Sequence, residues 1–387
     1  MIDFNNLKTA FSDKSDTDLN RAYLLFKSMS NRFVSKILTG LVQFSLKLHF
    51  PIKFIIKATV YKHFCGGETI EESQTTIDKL WQSHIGTILD FSAEGKESAN
   101  DFNRALKQTL ASIEKAAVSD SIPFSVFKPT GLCKFSILEK INNNNPLSAD
   151  EKIEKKEYEA RVDVICKLAF DKNVAVFIDA EESWIQDAID SIAEQMMEKY
   201  NKQKVLIYNT IQLYRKDRID YLNSFLRRAE NNYFIGVKLV RGAYHEQEIA
   251  KAKANNYPCP VHTVKTNTDT DYNSALELCI KNIKRVAVCA GTHNEKSAQL
   301  LVDLIEKHNL NKNDERIYFS QLLGMSDHIS YNLSSANYNV SKYVPYGPIR
   351  DVLPYLIRRI KENTSIAGQM GRELSNIIAE KQRRKNI

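Results

Sequence analysis

A chain of 387 residues, 43% hydrophobic by count, can bury a large core, and its length suggests two or three domains unless one of them is a barrel. The 54 basic residues outnumber the 47 acidic ones, giving a net charge of +7, but they are spread without long basic blocks. That excludes a nucleic-acid footprint and leaves an anionic substrate, cofactor or lipid surface open.

Residues 1–80 read as a helical arm. Their most apolar part, Ile37 to Val60, is broken by Lys47, His49, Pro51, Lys53 and Lys57, so nothing reaches the ~20 apolar residues that span a bilayer. Two readings fit it: a helix pair packed on the main domain, or a basic amphipathic surface touching membrane lipid, since lysines interleave with Phe44, Leu46, Phe50, Phe54 and Ile55. From residue 86 onward, short β-rich runs alternate with longer amphipathic stretches, the pattern of βα units around a parallel sheet. The runs are "GTILDF" (86–91), "PFSVFK" (123–128), "NVAVFID" (173–179), "KVLIYN" (204–209), "FIGVKLV" (234–240), "RVAVCA" (285–290), "RIYFS" (316–320) and "SKYVPY" (341–346). Helix candidates between them include 182–200 and 294–309, with apolar residues at three- and four-residue spacing. Eight such units predict an α/β fold, a (βα)8 barrel over 81–365, although an eight-stranded open sheet gives the same list. Two connections, 129–172 and 241–284, exceed simple βα loops; the first, with "NNNNP" at 142–146, reads as a helix plus a mobile surface loop. Residues 366–387 read as a charged C-terminal tail. Six cysteines (Cys65, Cys133, Cys166, Cys259, Cys279, Cys289) lie far apart with no C-x-x-C and no secretory leader, so reduced thiols and a cytoplasmic location are expected.

In a barrel the chemistry sits where strands end, and here those ends are polar. Strand two ends in Lys128 and strand three in Asp179; strand four runs into Asn209 and Gln212. Strand five carries Lys238 and then Arg241, Gly242 and Tyr244; strand six leads to Thr292, His293 and Asn294, strand seven to "QLLGM", and strand eight contains Tyr343. A strand lysine ordinarily snorkels to the surface, but Lys128 and Lys238 end apolar strands. Asp179 either caps the next helix or pairs with a lysine. His293 by itself reads as a structural hydrogen-bonding histidine. The eight histidines show no metal-binding spacing, and no nucleophile elbow, Walker loop or G-x-G-x-x-G is present. A dinucleotide would therefore be held by a barrel rim, where the glycine of "KLVRGAY" lets backbone approach a phosphate.

Together "FKPTG", "DAEE", "KLVRGAYHEQE", "GTHN", "QLLGM" and "KYVPYGP…PYLIRRIKEN", over roughly residues 120–363, resemble the proline dehydrogenases, flavoenzymes of proline catabolism. The "HFCGGE" at 63–68 is closer to their monofunctional, eukaryote-like branch, with no room for the aldehyde dehydrogenase domain of the bifunctional bacterial enzymes. The resemblance implies a deformed (βα)8 TIM-like barrel with an N-terminal helical arm, noncovalent FAD at the strand ends and L-proline over the flavin. The helix after strand eight would cross the barrel mouth, with Arg358 and Arg359 holding the proline carboxylate and Glu362 steadying either guanidinium. Lys128 and Asp179 would form a charged pair beside the substrate, Tyr244 and Tyr343 would wall its ring, and Leu322 would pack on its apolar carbons. For the cofactor, Gln212 and Lys238 would lie by the isoalloxazine, and Val240, Gly242 and His245 would line the flavin. Thr263, Lys265, Thr268, Thr292, His293 and Asn294 would hold the ribityl, phosphate and adenosine parts. Lys238 and Arg241 exchange the cations of the bifunctional enzymes, which leaves the contact to flavin N5 open between them; His245 stands where those enzymes have tryptophan, leaving the adenine partner open.

The implied reaction moves a hydride from the ring carbon beside nitrogen to FAD and yields Δ1-pyrroline-5-carboxylate. The amine must first lose a proton, to water or to a pocket residue. Reoxidation by a membrane quinone would make the arm a docking surface, and the product would pass to a separate pyrroline-5-carboxylate dehydrogenase. Hydroxyproline oxidation is the alternative within the family. Outside it stand a Schiff-base aldolase using Lys128 or Lys238, a non-catalytic binding barrel, and a folate-dependent flavin reductase, which has no use for the double arginine.

Overall fold

A computed structural model describes residues 2–30, 56–92, 95–230, 232–365 and 369–386, with the side chains at 30, 360–365, 369 and 370 excepted. Its strands are β1 (Ile85–Phe91), β2 (Phe124–Phe127), β3 (Ala175–Ile178), β4 (Ile207–Gln212), β5 (Ile235–Val240), β6 (Val286–Gly291), β7 (Ile317–Leu322) and β8 (Val340–Tyr346). All neighbours are parallel, and β8 pairs back onto β1 from Ile85↔Val340 to Phe91↔Tyr346. The sheet is thus a closed barrel, not an open one.

Strands of such a barrel are apolar on both faces because both are buried, and period-two alternation assigns each residue to one of them. In β5, Ile235, Val237 and Leu239 enter the core between barrel and helices, so Gly236, Lys238 and Val240 point inward. The interior is filled from below by Ile88, Phe124, Val126, Phe177, Tyr208 and Cys289. Phe124 stacks on Phe177 at 4.4 Å between ring centres, and Tyr208 and Tyr318 meet Phe124 edge-on. These rings close the floor of the barrel, and the charged inward groups lie above them, toward the strand C-termini.

The connection 129–172 holds two helices, Phe135–Asn142 and Ala149–Lys172, in place of one helix and a loop. The asparagine run is a short turn, because Ser148 opens the second helix with a capping box: its hydroxyl accepts from Glu151 N (3.2 Å) and Glu151 accepts from Ser148 N (2.8 Å). The connection 241–284 likewise holds His245–Ala254 and Lys265–Lys281.

A third apolar cluster lies beyond the barrel. It joins the arm (Phe11, Leu19, Phe26, Tyr61, Phe64) to Val352, Leu353 and Leu356 of the helix Ile349–Ser365 and to Ile377 of the helix Gln369–Lys385. Residues expected as a charged tail therefore form a packed helix, tied back by Arg384 to Asp16 (2.9 Å) and to the Phe11 carbonyl (2.9 Å). Tyr61 donates to the Gly347 carbonyl (2.9 Å), which holds the arm against the end of β8. Of the apolar stretch Ile37 to Val60, positions 37–55 lie outside the described residues, while Ile56 and Val60 are buried in this cluster. Among the described residues no helix is long and apolar enough to cross a membrane.

Candidate active site

Asp90, Lys128, Asp179, Lys238 and Tyr343 occupy inward positions in the C-terminal half of β1, β5 and β8 or just past the ends of β2 and β3, each two residues after another inward position. Alternation alone therefore converges them. Lys128 Nζ lies 2.9 Å from Asp179 Oδ2 and 3.4 Å from Asp90 Oδ2. Lys238 Nζ donates to Asp179 Oδ1 and to Tyr343 Oη (2.7 Å), and Tyr343 donates to Asp179 Oδ1 (2.8 Å). Two ammonium groups thus face two carboxylates, and Lys238 also sits 4.5 Å from the Tyr343 ring centre and 5.3 Å from that of Phe177. Burial alone would raise the Asp179 carboxyl, but Lys128 and Lys238 beside it hold it well below the usual carboxylate range. Burial, and then the Asp179 charge, push the Tyr343 phenol far up, so it remains a donor. Asp179 does not cap the next helix. Glu182 takes the N-cap position of Ser183–Tyr200, and Glu248 of the "HEQE" turn accepts from Ser183 N at 2.6 Å. Asn209 points outward to Asp190 (2.8 Å) and leaves the mouth.

A second cluster forms where β5 and β6 end. Arg241 is outward on β5 and donates to Asp269 (2.7 Å), Thr292 Oγ1 (2.7 Å) and Ser297 Oγ (2.9 Å) over the Tyr272 ring. Lys265 shares Asp269 at 2.5 Å, so the trio keeps one positive charge. Thr292 Oγ1 also accepts from Asn294 N (3.1 Å), and Asn294 caps the helix Glu295–Lys307. Gln212 donates to the Glu181 carbonyl (2.6 Å) and accepts from Ala243 N (3.2 Å), fixing the turn after Val240. Gly242 has φ +134°, and a Cβ there would lie 2.5 Å from the Tyr214 ring. Its reason is thus the turn and Tyr214, where the sequence suggested room for a phosphate. His245 donates to the His262 carbonyl (2.8 Å) with its ring 6.2 Å from Tyr214. Thr268 is buried and Thr263 exposed. His293 Nδ1 lies 2.9 Å from Ser326 Oγ. Burial and then the positive charges of Lys342, Arg359 and Arg241 hold His293 well below its ordinary value, as a neutral ring.

The helix Ile349–Ser365 brings its arginines to this mouth. Arg358 lies over the Tyr244 ring at 5.9 Å, and Arg359, 7% exposed, over Tyr355 at 5.3 Å. Arg359 is also close enough to act on His293, so the pair spans from the end of β5 toward the end of β6. Leu322 pairs with Tyr343 across β7 and β8 and packs against both the barrel interior and the outer cluster. Glu362 falls within the helix, but its side chain lies outside the described residues. Inspection of strand ends missed Asp90, although the alternation that puts Ile88 inside also puts Asp90 inside. It missed Glu181, Ser326 and Glu373, which no local pattern marks. A groove of about 740 Å³ around the Asp190–Arg218 pair, between the helices Ser183–Tyr200 and Arg218–Ala229, lies outside the barrel mouth.

The family model for proline dehydrogenase matches residues 73–372. The chain is 32% identical over 405 residues to "Proline dehydrogenase 1, mitochondrial" of Dictyostelium discoideum, covering 92% of this chain and 71% of that one. It is 34% identical over 311 residues to the "Carbapenem antibiotics biosynthesis protein CarD" of Pectobacterium carotovorum subsp. carotovorum, covering 80% of each. Among solved structures, proline utilization A from Bdellovibrio bacteriovorus, inactivated by N-propargylglycine, superposes with a TM-score of 0.72 at 21% identity. That alignment covers 94% of this chain and 38% of the larger protein and speaks to the fold alone.

Proposed function

The chain belongs to the proline dehydrogenase family, and on that premise we propose that it oxidises L-proline to Δ1-pyrroline-5-carboxylate with noncovalently bound FAD. The observation that carries the proposal is the buried Lys128–Asp179–Lys238–Tyr343 network facing a helix with two arginines. The chemistry of the donors fits the cofactor. Arg241 and Lys265 share one carboxylate and retain a charge for a phosphate, while Gln212, Thr268, Thr292, His293 and Asn294 supply polar groups along the same rim. In this reading Lys238 and Gln212 would hold the isoalloxazine, Val240, Gly242 and His245 would line it, and Thr263 would join Lys265 in holding the phosphate and adenosine parts. When bound, FAD supplies the acceptor for the hydride of the carbon beside nitrogen.

Arg358 and Arg359 hold the proline carboxylate, with Glu362 as their steadying partner. Tyr244, Tyr343 and Leu322 enclose the ring carbons and exclude water. Lys128 and Asp179 fix the polar edge, and Lys238 adds positive charge where negative charge gathers during the transfer. Electrons would then pass to a quinone and the product to a pyrroline-5-carboxylate dehydrogenase, and the basic apolar stretch of the arm would be the docking surface for the membrane that carries the quinone. A Schiff-base aldolase is disfavoured because both lysines hold Asp179, bonds that an attacking amine would have to give up.

The test is the absorbance spectrum of the purified chain. It should be yellow, bleach on anaerobic addition of L-proline, and release its flavin into the supernatant on acid precipitation. A colourless protein trapped on a substrate by borohydride would replace this reading with the aldolase.

A further inference from the structure

The helix Gln369–Lys385 reaches the barrel rim through one buried carboxylate. Glu373, 5% exposed, accepts from the backbone N of Ser326 at 2.7 Å and from its hydroxyl at 3.3 Å. Ser326 opens the helix Asp327–Ser335 from a left-handed conformation, φ +52°, with no side-chain cap of its own. Glu373 therefore pins the turn that follows Leu322. A buried carboxylate is costly unless its oxygens are bonded, and this one is bonded across 47 residues of chain to a turn at the site.

The hydroxyl of Ser326 also lies 2.9 Å from Nδ1 of His293. A hydroxyl has one proton to give. When it is directed to Glu373, the imidazole must supply the proton of the other bond, from Nδ1, and Nε2 then keeps a lone pair. The cations Lys342, Arg359 and Arg241 act on this ring, so an acceptor nitrogen suits its surroundings.

We propose that Glu373 is a positioning residue for the rim: through Ser326 it holds His293 with its proton on Nδ1 and Nε2 as an acceptor, so the C-terminal helix sets the bonding role of a residue at the candidate flavin site. The consequence for the cofactor rests on the flavin reading above; the relay itself does not.

The test uses the full chain labelled with nitrogen-15 histidine, with and without FAD, and the His293 signals identified by their loss in His293→Asn. Nitrogen shifts and ring couplings distinguish the two neutral tautomers. The wild type should be protonated on Nδ1. Ser326→Gly suits the positive φ and removes the side chain that carries the hydroxyl while keeping the backbone N–H; it and Glu373→Ala should give mixed tautomers, whereas Glu373→Gln, whose amide oxygen still accepts, should keep the wild-type form. FAD affinity, read by flavin fluorescence, should fall about tenfold in the first two variants and stay nearly unchanged in the third. Protonation on Nε2 in the wild type, or an unaltered tautomer in Ser326→Gly, overturns the proposal, and Ser326→Gly decides if Glu373→Ala does not fold. A tautomer that shifts while FAD affinity holds upholds the relay and counts against His293 as a flavin contact.

Discussion

Asp179 shows how much one residue can organise: it receives Lys128, Lys238 and Tyr343 in a largely buried site. Asp179→Asn would leave two buried ammonium groups with reduced compensation, and removing one member of such a set costs about 3–5 kcal/mol. Thermal unfolding should show that loss at neutral pH. Its pH dependence has a definite sign. Because the folded carboxyl sits below the unfolded value of about 3.9, its contribution is complete above that value and is lost as pH falls through it toward the folded one. The acid limb of Tm against pH, below about pH 4, should therefore be shallower in Asp179→Asn than in the wild type. With Tyr343 as the proposed wall of the substrate ring, substrate choice follows by the same logic. Its hydroxyl is committed to Lys238 and Asp179, so the extra hydroxyl of 4-hydroxyproline would be crowded and unpartnered, at about 1–3 kcal/mol. L-Proline should be preferred in kcat/KM, and Tyr343→Ser should move the ratio toward hydroxyproline even as activity falls. A ratio that does not move would take Tyr343 out of the pocket wall.

At the scale of the element, the helix Ile349–Ser365 presents two arginines to one mouth because adjacent helical positions differ by about 100°. Arg358 reaches toward Tyr244 while Arg359 is buried over Tyr355, with its charge acting on His293. Each charge-assisted contact to a carboxylate is worth about 1.5–3 kcal/mol, so Arg358→Met and Arg359→Met should each raise KM for proline about tenfold or more with flavin retained. Steady-state kinetics beside the flavin-to-protein absorbance ratio would check both halves. Unchanged KM in both variants would remove this helix from substrate binding. The pair was conspicuous in the sequence as "RR". Its aromatic partner Tyr244 was marked by its place after strand five, but its pairing with Arg358 was not, since no local pattern joins residues so far apart.

Across the whole molecule, the chain's two ends meet in one apolar layer on the side of the barrel that carries the candidate site. Ending the chain at residue 368 would remove Ile377 from that layer, together with the Arg372–Glu295 and Arg384–Asp16 pairs and the Glu373–Ser326 bonds. Scanning calorimetry should then show Tm lowered by about 5 °C or more, at the few degrees per kcal/mol expected for a chain of this size. A truncated chain with wild-type Tm would mean that the helix only decorates the surface. The eight strands were readable from composition because β-branched and aromatic runs bounded by polar turns reflect local preference. So were the residues at their ends, Asp90 excepted, since each lies next to its own strand. Closure of the sheet was not readable, because the β1–β8 pairing joins residues more than 250 apart and leaves no local trace. Nor was the fate of the last twenty residues: Gln369–Lys385 is charged enough to read as a tail, and only the apolar arm it meets in three dimensions makes Ile377 and Glu373 buried. Alternation within a strand determined which groups face the axis, whereas the pairing of Lys238 with Asp179 and Tyr343, and of Glu373 with Ser326, was decided by tertiary contacts between elements whose local sequences are independent of one another.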